Sequence, residues 1–339
     1  MACSTLLALA ALAATGPTPQ DPPPVRYRVQ FLQTMVGTSE GQHEQAVAIN
    51  AHGETVGQIT IAGRAWAAHW KPSGDLSLLY AGEPKGSSLA FDLTDDGLAV
   101  GYAVARQETT PFQWSASGGN VLLDLGDGAV PMAVNSAHTV AYAFRDGDRM
   151  ASAVRDASQA TLLIDGSGQD VLVRDLNAAG TATGLIGGGG TPALPFRWTP
   201  AGGTVLLTLP DGFVHGHGNA LDAAGAVVGL SRNDERDQAT LWDTSGAPTL
   251  LPYLRPTSTQ STAFAINSQG WVVGTEYRSA DTPEAGAAVI WIDGKPWDLN
   301  FLALLGGAEP NLRIHAALDI NDQGQIAARG TVKGKGRAL

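Results

Sequence analysis

A short phrase recurs seven times along this chain, and its period restricts the folds open to it. The clearest copies are Ala48-Ile49-Asn50-Ala51-His52-Gly53, Ala265-Ile266-Asn267-Ser268-Gln269-Gly270 and Asp319-Ile320-Asn321-Asp322-Gln323-Gly324. Weaker copies centre on Thr94, Asn135, Asn177 and Asp222. With anchors at 50, 94, 135, 177, 222, 267 and 321, the steps are 44, 41, 42, 45, 45 and 54 residues. Self-similarity at about 40 to 50 residues marks propellers and solenoids.

One unit holds four apolar segments. The first leads into the anchor, as in Ala46 to Ile49 or Ala263 to Ile266. Asn-x-x-Gly follows, then a small-and-branched stretch such as Trp271-Val-Val-Gly274. Asn or Asp at a turn accepts from its own backbone two residues on, and Gly three residues later supplies positive φ. The motif therefore reads as a hairpin connector. Asp95-Asp96 and Asp222 belong to such turns rather than to calcium loops, because no D-x-D-x-D-G pattern follows. A second Gly falls seven residues after the anchor (Gly57, Gly101, Gly184, Gly229, Gly274), marking close backbone approach or a bulge. The third segment ends in Trp70, Trp114, Trp198, Trp242 or Trp291, with Val154 in the third copy. These rings are expected to pack between neighbouring sheets. The fourth segment is Leu-rich, from Leu76 to Leu79 in the first copy and from Trp297 to Leu302 in the sixth.

Four strands per unit and seven units predict an all-β chain, a seven-bladed β-propeller with four-stranded blades of about 44 residues. The last copy stops near Leu339, before a Trp or Leu-rich segment, whereas Arg26 to Leu32 precedes the first anchor as an orphan strand. Pairing that strand with the last blade would close the ring and hide an edge. Gly336 to Leu339 is expected to add a short third strand there. The domain plan is a signal-peptide-like leader over 1–16, a Pro-rich linker over 17–25 and one propeller over 26–339. Leu6 to Ala14 is too short an apolar run to span a bilayer, and Ala11-Leu12-Ala13 offers a cleavage site. The leader lacks a basic start, and Met-Ala before Cys3 argues against a lipid anchor there. A secreted or periplasmic monomer is expected. Cys3 is the sole cysteine, so no intramolecular disulfide forms. With a formal net charge of -11 and no basic run beyond the thin Lys333 to Arg337 tail, nucleic acid is excluded as a partner.

The A-x-A-I-N-x-x-G-x-V-V-G pattern, best in Ala263 to Gly274, resembles the HAF-repeat family of probable extracellular bacterial repeats. Arg26 to Leu32 and Gly324 to Ala327 share the likeness, which covers nearly everything from Arg26 onward. It implies an extracellular repeat protein and is almost silent on activity. The third copy departs from the pattern at His138, in place of the turn Gly, and at Val154.

Function in a propeller centres on one mouth of the channel. Seven residues before each anchor stand His43, Ser87, Gly128, Asp170, His215, Gln260 and Ile314, with His217 and His315 close by. Imidazoles beside a carboxylate bind divalent metals or exchange protons. His43, Asp170, His215, His217, Gln260 and His315 are therefore the candidate ligand contacts, and His215, His217 and His315 the candidate metal ligands. Polar residues lining a wet pore explain the same pattern without a ligand. No cofactor is expected, and a divalent metal is the one option left open. Gly37 to Gly41 fits the Gly-x-Ser-x-Gly string but precedes a strand rather than a helix, and Gly187 to Gly190 lacks the Lys of a phosphate loop. The expected function is a non-enzymatic binding or scaffold module that uses a propeller face for a protein or carbohydrate partner. The alternative is a lyase or hydrolase with a His-rich site at the channel mouth. Fold alone does not choose between them.

Overall fold

The computed structural model describes residues 25–32, 45–79, 86–277, 286–308, 310–332 and 335–338. The leader, all but the last residue of the linker, Gly37 to Gly41 and His43 lie outside the described residues. The first sheet orders β1 (Gln45–Ile49), β2 (Thr55–Ile61), β3 (Arg64–Trp70) and β4 (Leu76–Leu78) as an antiparallel meander. The second holds β5 (Ser87–Leu93), β6 (Ala99–Ala105), β7 (Glu108–Ser115) and β8 (Gly119–Leu122). The third holds β9 (Val130–Val134), β10 (Val140–Asp146), β11 (Arg149–Arg155) and β12 (Thr161–Leu163). The fourth holds β13 (Val171–Leu176), β14 (Ala182–Ile186), β15 (Leu194–Thr199) and β16 (Gly203–Leu206). An eight-stranded sheet follows, built from β17 (His215–Leu221), β18 (Val227–Arg232), β19 (Asp237–Trp242), β20 (Pro248–Leu250), β21 (Gln260–Ile266), β22 (Val272–Tyr277), β23 (Ala287–Ile292) and β24 (Lys295–Asp298). Its two meanders are joined through one parallel pair, Asp237 opposite Gln260. After helix α1 (Leu299–Leu305), a three-stranded sheet of β25 (Leu312–Ile320), β26 (Ile326–Val332) and β27 (Lys335–Ala338) ends the chain.

Each meander packs on the next in sequence, and β1 packs on β25 and β26, so the sheets close into a ring. The core lies between sheets. Trp242 meets Leu207 of the preceding repeat and donates its indole N–H to the Thr208 carbonyl at 2.7 Å. Trp291 likewise packs on Leu251 and donates to the Pro252 carbonyl at 2.8 Å. A large apolar ring with one polar handle is satisfied at both ends by this arrangement.

The hairpin reading of the anchors holds in detail. Asn50, Asn135, Asn177, Asn267 and Asn321 each accept, through the side-chain oxygen, from the N–H groups two and four residues on. The turn glycines take positive φ, between 75° at Gly324 and 89° at Gly225. In the third copy His138 takes φ 57° in place of Gly, and its ring nitrogen sits 2.8 Å from Asp96 of the second repeat. In that repeat the register corrects the expected Val154: Arg155 opposes Val140 as Trp114 opposes Ala99, so Arg155 takes the Trp position, with Val154 buried next to it, and the repeat still forms a four-stranded sheet.

Two expectations change. The Leu-rich segment of the sixth copy turns helical after Asp298, whose carboxylate accepts from the Asn300 N–H and caps α1. Leu-Asn-Phe-Leu-Ala-Leu-Leu contains no β-branched residue, so a capped helix is its favoured state. This helix lies within the 54-residue step. The N-terminal segment forms no ladder with β25 to β27. Val25, Tyr27 and Val29 instead pack on the cluster holding Leu299, Leu302 and Ala303, while the Tyr27 N–H donates to the Leu302 carbonyl at 3.2 Å. The helix offers it an apolar surface in place of a strand edge. The short third strand expected at the C terminus is present as β27.

Candidate functional site

The inner strands β1, β5, β9, β13, β17, β21 and β25 share one irregularity: the third residue before the anchor is bulged out of register. The bulged residues are Val47, Phe91, Met132, Arg174, Asn219, Phe264 and Leu318, all half-buried. Opposite the bulge stands the second recurrent glycine. A Cβ on Gly57, Gly101, Gly184, Gly229 or Gly274 would lie 1.9 to 2.1 Å from an inner-strand carbonyl oxygen, which no side chain can do. The bulge thus explains the glycine.

The mouth column begins with Ser87, Gly128, Asp170, His215 and Gln260. In the seventh repeat a second bulge, at His315, shifts the register. Arg313 opposes Thr331, as His215 opposes Arg232 and Gln260 opposes Tyr277, so exposed Arg313 takes the column position and Ile314 is buried beside it. His315 is buried, with Nε2 3.0 Å from the Thr331 hydroxyl. Asp170 is tied back to the third repeat, accepting from the Met150 N–H at 2.9 Å. His215 and His217 share one side of β17, and His215 Nδ1 accepts from the Ala193 N–H at 3.3 Å. Burial, with the positive charges of Arg174 and Arg232 outweighing Asp237, holds His217 down at about 3. It is a neutral imidazole near neutral pH. Arg232 is fixed by a two-pronged ion pair to Asp237 at 2.6 Å. Arg174 donates to Asn219 at 3.0 Å, and Asn219 in turn donates to the Ala263 carbonyl at 2.7 Å. Among the described residues no three His, Cys, Asp or Glu side chains group as a metal site.

Two residues before the anchors the column reads Ala48, Asp92, Ala133, Asp175, Ala220, Ala265 and Asp319. Each aspartate bridges two repeats. Asp92 accepts from the N–H of Leu93 and of Val134, Asp175 from Leu176 and Leu221, Asp319 from Ile320 and Ile49, all at 2.7 to 2.8 Å. Burial raises all three carboxyls against these bonds, and the negative charges of Asp175 and Asp319 add to it at Asp92. Asp319 stands at about 7, raised by burial and then by the charge of Asp175.

Comparison with solved structures gives matches over most of the chain. TolB from Acinetobacter baumannii aligns with a TM-score of 0.53 at 12% identity, covering 70% of this chain and 60% of that one. The chain therefore spans less than two thirds of TolB. A streptogramin B lyase gives 0.53 at 12% identity over 90% of this chain and 95% of that one. Virginiamycin B lyase from Staphylococcus aureus gives 0.55 at 8% identity over 87% and 94%. The fold is a β-propeller. At these identities the likeness extends to architecture alone. No family model matches the chain, and no curated protein is significantly similar to it.

The propeller carries two features that the sequence reading passed over. One is the aspartate column, visible as charge in an otherwise alanine position. The other lies on the outer rim, where the edge strands β8, β12 and β16 expose Val121, Leu122, Leu162, Leu163, Val205 and Leu206, each about half or more accessible. The corresponding pairs in β4 and β20 are Ser77-Leu78 and Thr249-Leu250, each with one polar member. No helix of the described residues is long and apolar enough to cross a membrane.

Proposed function

We propose that this chain is a non-enzymatic binding module whose partner is a protein held on the outer rim of repeats two to four. The observation that carries this reading is the run of six exposed Val and Leu side chains on three consecutive edge strands. Apolar surface gathered on neighbouring elements is typical of interaction sites, and a free strand edge accepts an added strand from a partner. The reading moves the expected contact from a propeller face to the rim. The channel candidates Asp170, His215, His217 and Gln260 remain a proposed lining for a small ligand. The lyase or hydrolase alternative draws less support, since an imidazole held at about 3 is poorly matched to proton transfer near neutral pH.

We also count seven blades. The eight-stranded sheet divides at its single parallel pair, and the three-stranded sheet with the seventh anchor supplies the last blade. Export as a monomer to the periplasm or outside rests on the apolar run Leu6 to Ala14, and HAF-repeat membership rests on the repeat itself. The deciding experiment is in-cell cross-linking of wild type, a Leu122→Ser/Leu163→Ser/Leu206→Ser variant and a His215→Ala/His217→Ala variant. The rim variant is expected to lose its cross-linked partner and the histidine variant to keep it. The opposite pattern sinks the rim reading.

A further inference from the structure

We propose that the seam between the last and first repeats is a binding site for a small organic polyanion, held by Arg26, Arg28 and Lys71. A cleft of about 370 Å³ opens there, and among the described residues no Asp or Glu lines it. That volume falls within the usual range for small-molecule sites, roughly 300 to 1,000 Å³. Three cations without a carboxylate are out of character for a chain with 32 acidic and 21 basic residues. Among the described residues none of the three is in an ion pair.

The extended N-terminal segment explains the placement. Its alternation buries Val25, Tyr27 and Val29 in part and exposes Arg26 and Arg28. Side chains two residues apart on an extended segment share a side about 7 Å from one another. The two guanidiniums therefore suit two anionic groups of one ligand, while Lys71 approaches from the first repeat as a point charge. A second, independent observation points the same way. Thr55 lines this cleft, is 5% exposed, and its hydroxyl has no hydrogen-bond partner among the described residues. An orphaned buried hydroxyl is costly, and a ligand oxygen would satisfy it.

The test is calorimetric titration of the full chain with trigalacturonate, inositol hexakisphosphate and neutral maltotriose, at low and at physiological salt. One or both anions should bind, more weakly at the higher salt, and the one that binds identifies carboxylate or phosphate as the recognised group. Arg28→Gln and Lys71→Gln should each weaken binding about tenfold. Thr55→Val is the control against a purely structural role: it should raise the melting temperature of the free protein and still weaken binding several-fold. Binding of neither anion, equal binding of maltotriose, or unchanged affinity in all three variants overturns the proposal.

Discussion

Asparagine is needed at the anchors for both ends of its amide. The oxygen closes the turn, and the NH2 group donates to the anchor carbonyl of the next repeat: Asn50 to Thr94, Asn135 to Asn177, Asn177 to Asp222, Asn267 to Asn321 and Asn321 back to Asn50, at 2.8 to 3.2 Å. Aspartate can do only the first. Asp222 accepts from the Ala226 N–H at 2.8 Å and has no donor to send towards Asn267. Asn267→Asp should therefore lower stability by about 1 kcal/mol, and Asp222→Asn should raise it by a similar amount, or roughly 2 °C in midpoint. Urea denaturation of both variants checks this, and movement of the two in the same direction would contradict the latch. Thr94 also lacks the amide, and the His138 to Asp96 contact links the second and third repeats in its place.

The bulged inner strand and its facing glycine form one unit, because each makes room for the other. Gly184→Ala would press a methyl to within 2.0 Å of the Leu172 carbonyl oxygen. Overpacking of this kind costs about 1 to 3 kcal/mol, measurable as a lowered urea midpoint with β content retained by circular dichroism. An unchanged midpoint would show that β13 can shift freely. This pairing was legible in part: a Gly at a fixed distance from each anchor announces close approach, and the Asn-x-x-Gly turns and Trp column follow from local chemistry repeated at one period. The second bulge at His315 was not legible, because a one-residue slip leaves no mark in a single copy, and so Ile314 stood where Arg313 belongs. Helix α1 was hidden for a related reason, since a short Leu-rich run suits a buried strand or a helix until Asp298 is recognised as its cap. The aspartate column was in plain view, but its role depends on N–H groups of a neighbouring repeat about 44 residues away.

Around the whole ring the three aspartates cover six of the seven inner-strand N–H groups that precede the anchors. Each carboxylate serves its own repeat and the next, so an odd number of repeats leaves one over: Ile266, flanked by Ala220 and Ala265. The arrangement sets three acids within one another's electrostatic reach, with a consequence for pH. Their carboxyls are raised in the folded state, Asp319 to about 7, so between about pH 4 and 7 the folded protein holds protons that the unfolded chain has released. The contribution of Asp319 is therefore full below the unfolded pKa of about 4 and is lost as pH rises through about 7, and Asp92 and Asp175, also raised, act in the same direction. His217 acts oppositely: kept neutral down to about 3, it costs stability as pH falls below about 6.5, where the unfolded imidazole takes up a proton. Two variants separate these slopes. Asp319→Asn loses one acceptor and should be less stable than wild type in acid, with the gap narrowing as pH rises through 7. His217→Gln should flatten the acid limb and leave the neutral limb alone. Urea midpoints from acid to mildly alkaline pH give both curves. A gap for Asp319→Asn that widens with pH would mean that the six N–H bonds outweigh burial and mutual repulsion, because carboxylates favoured in their ionised form stabilise more as pH rises.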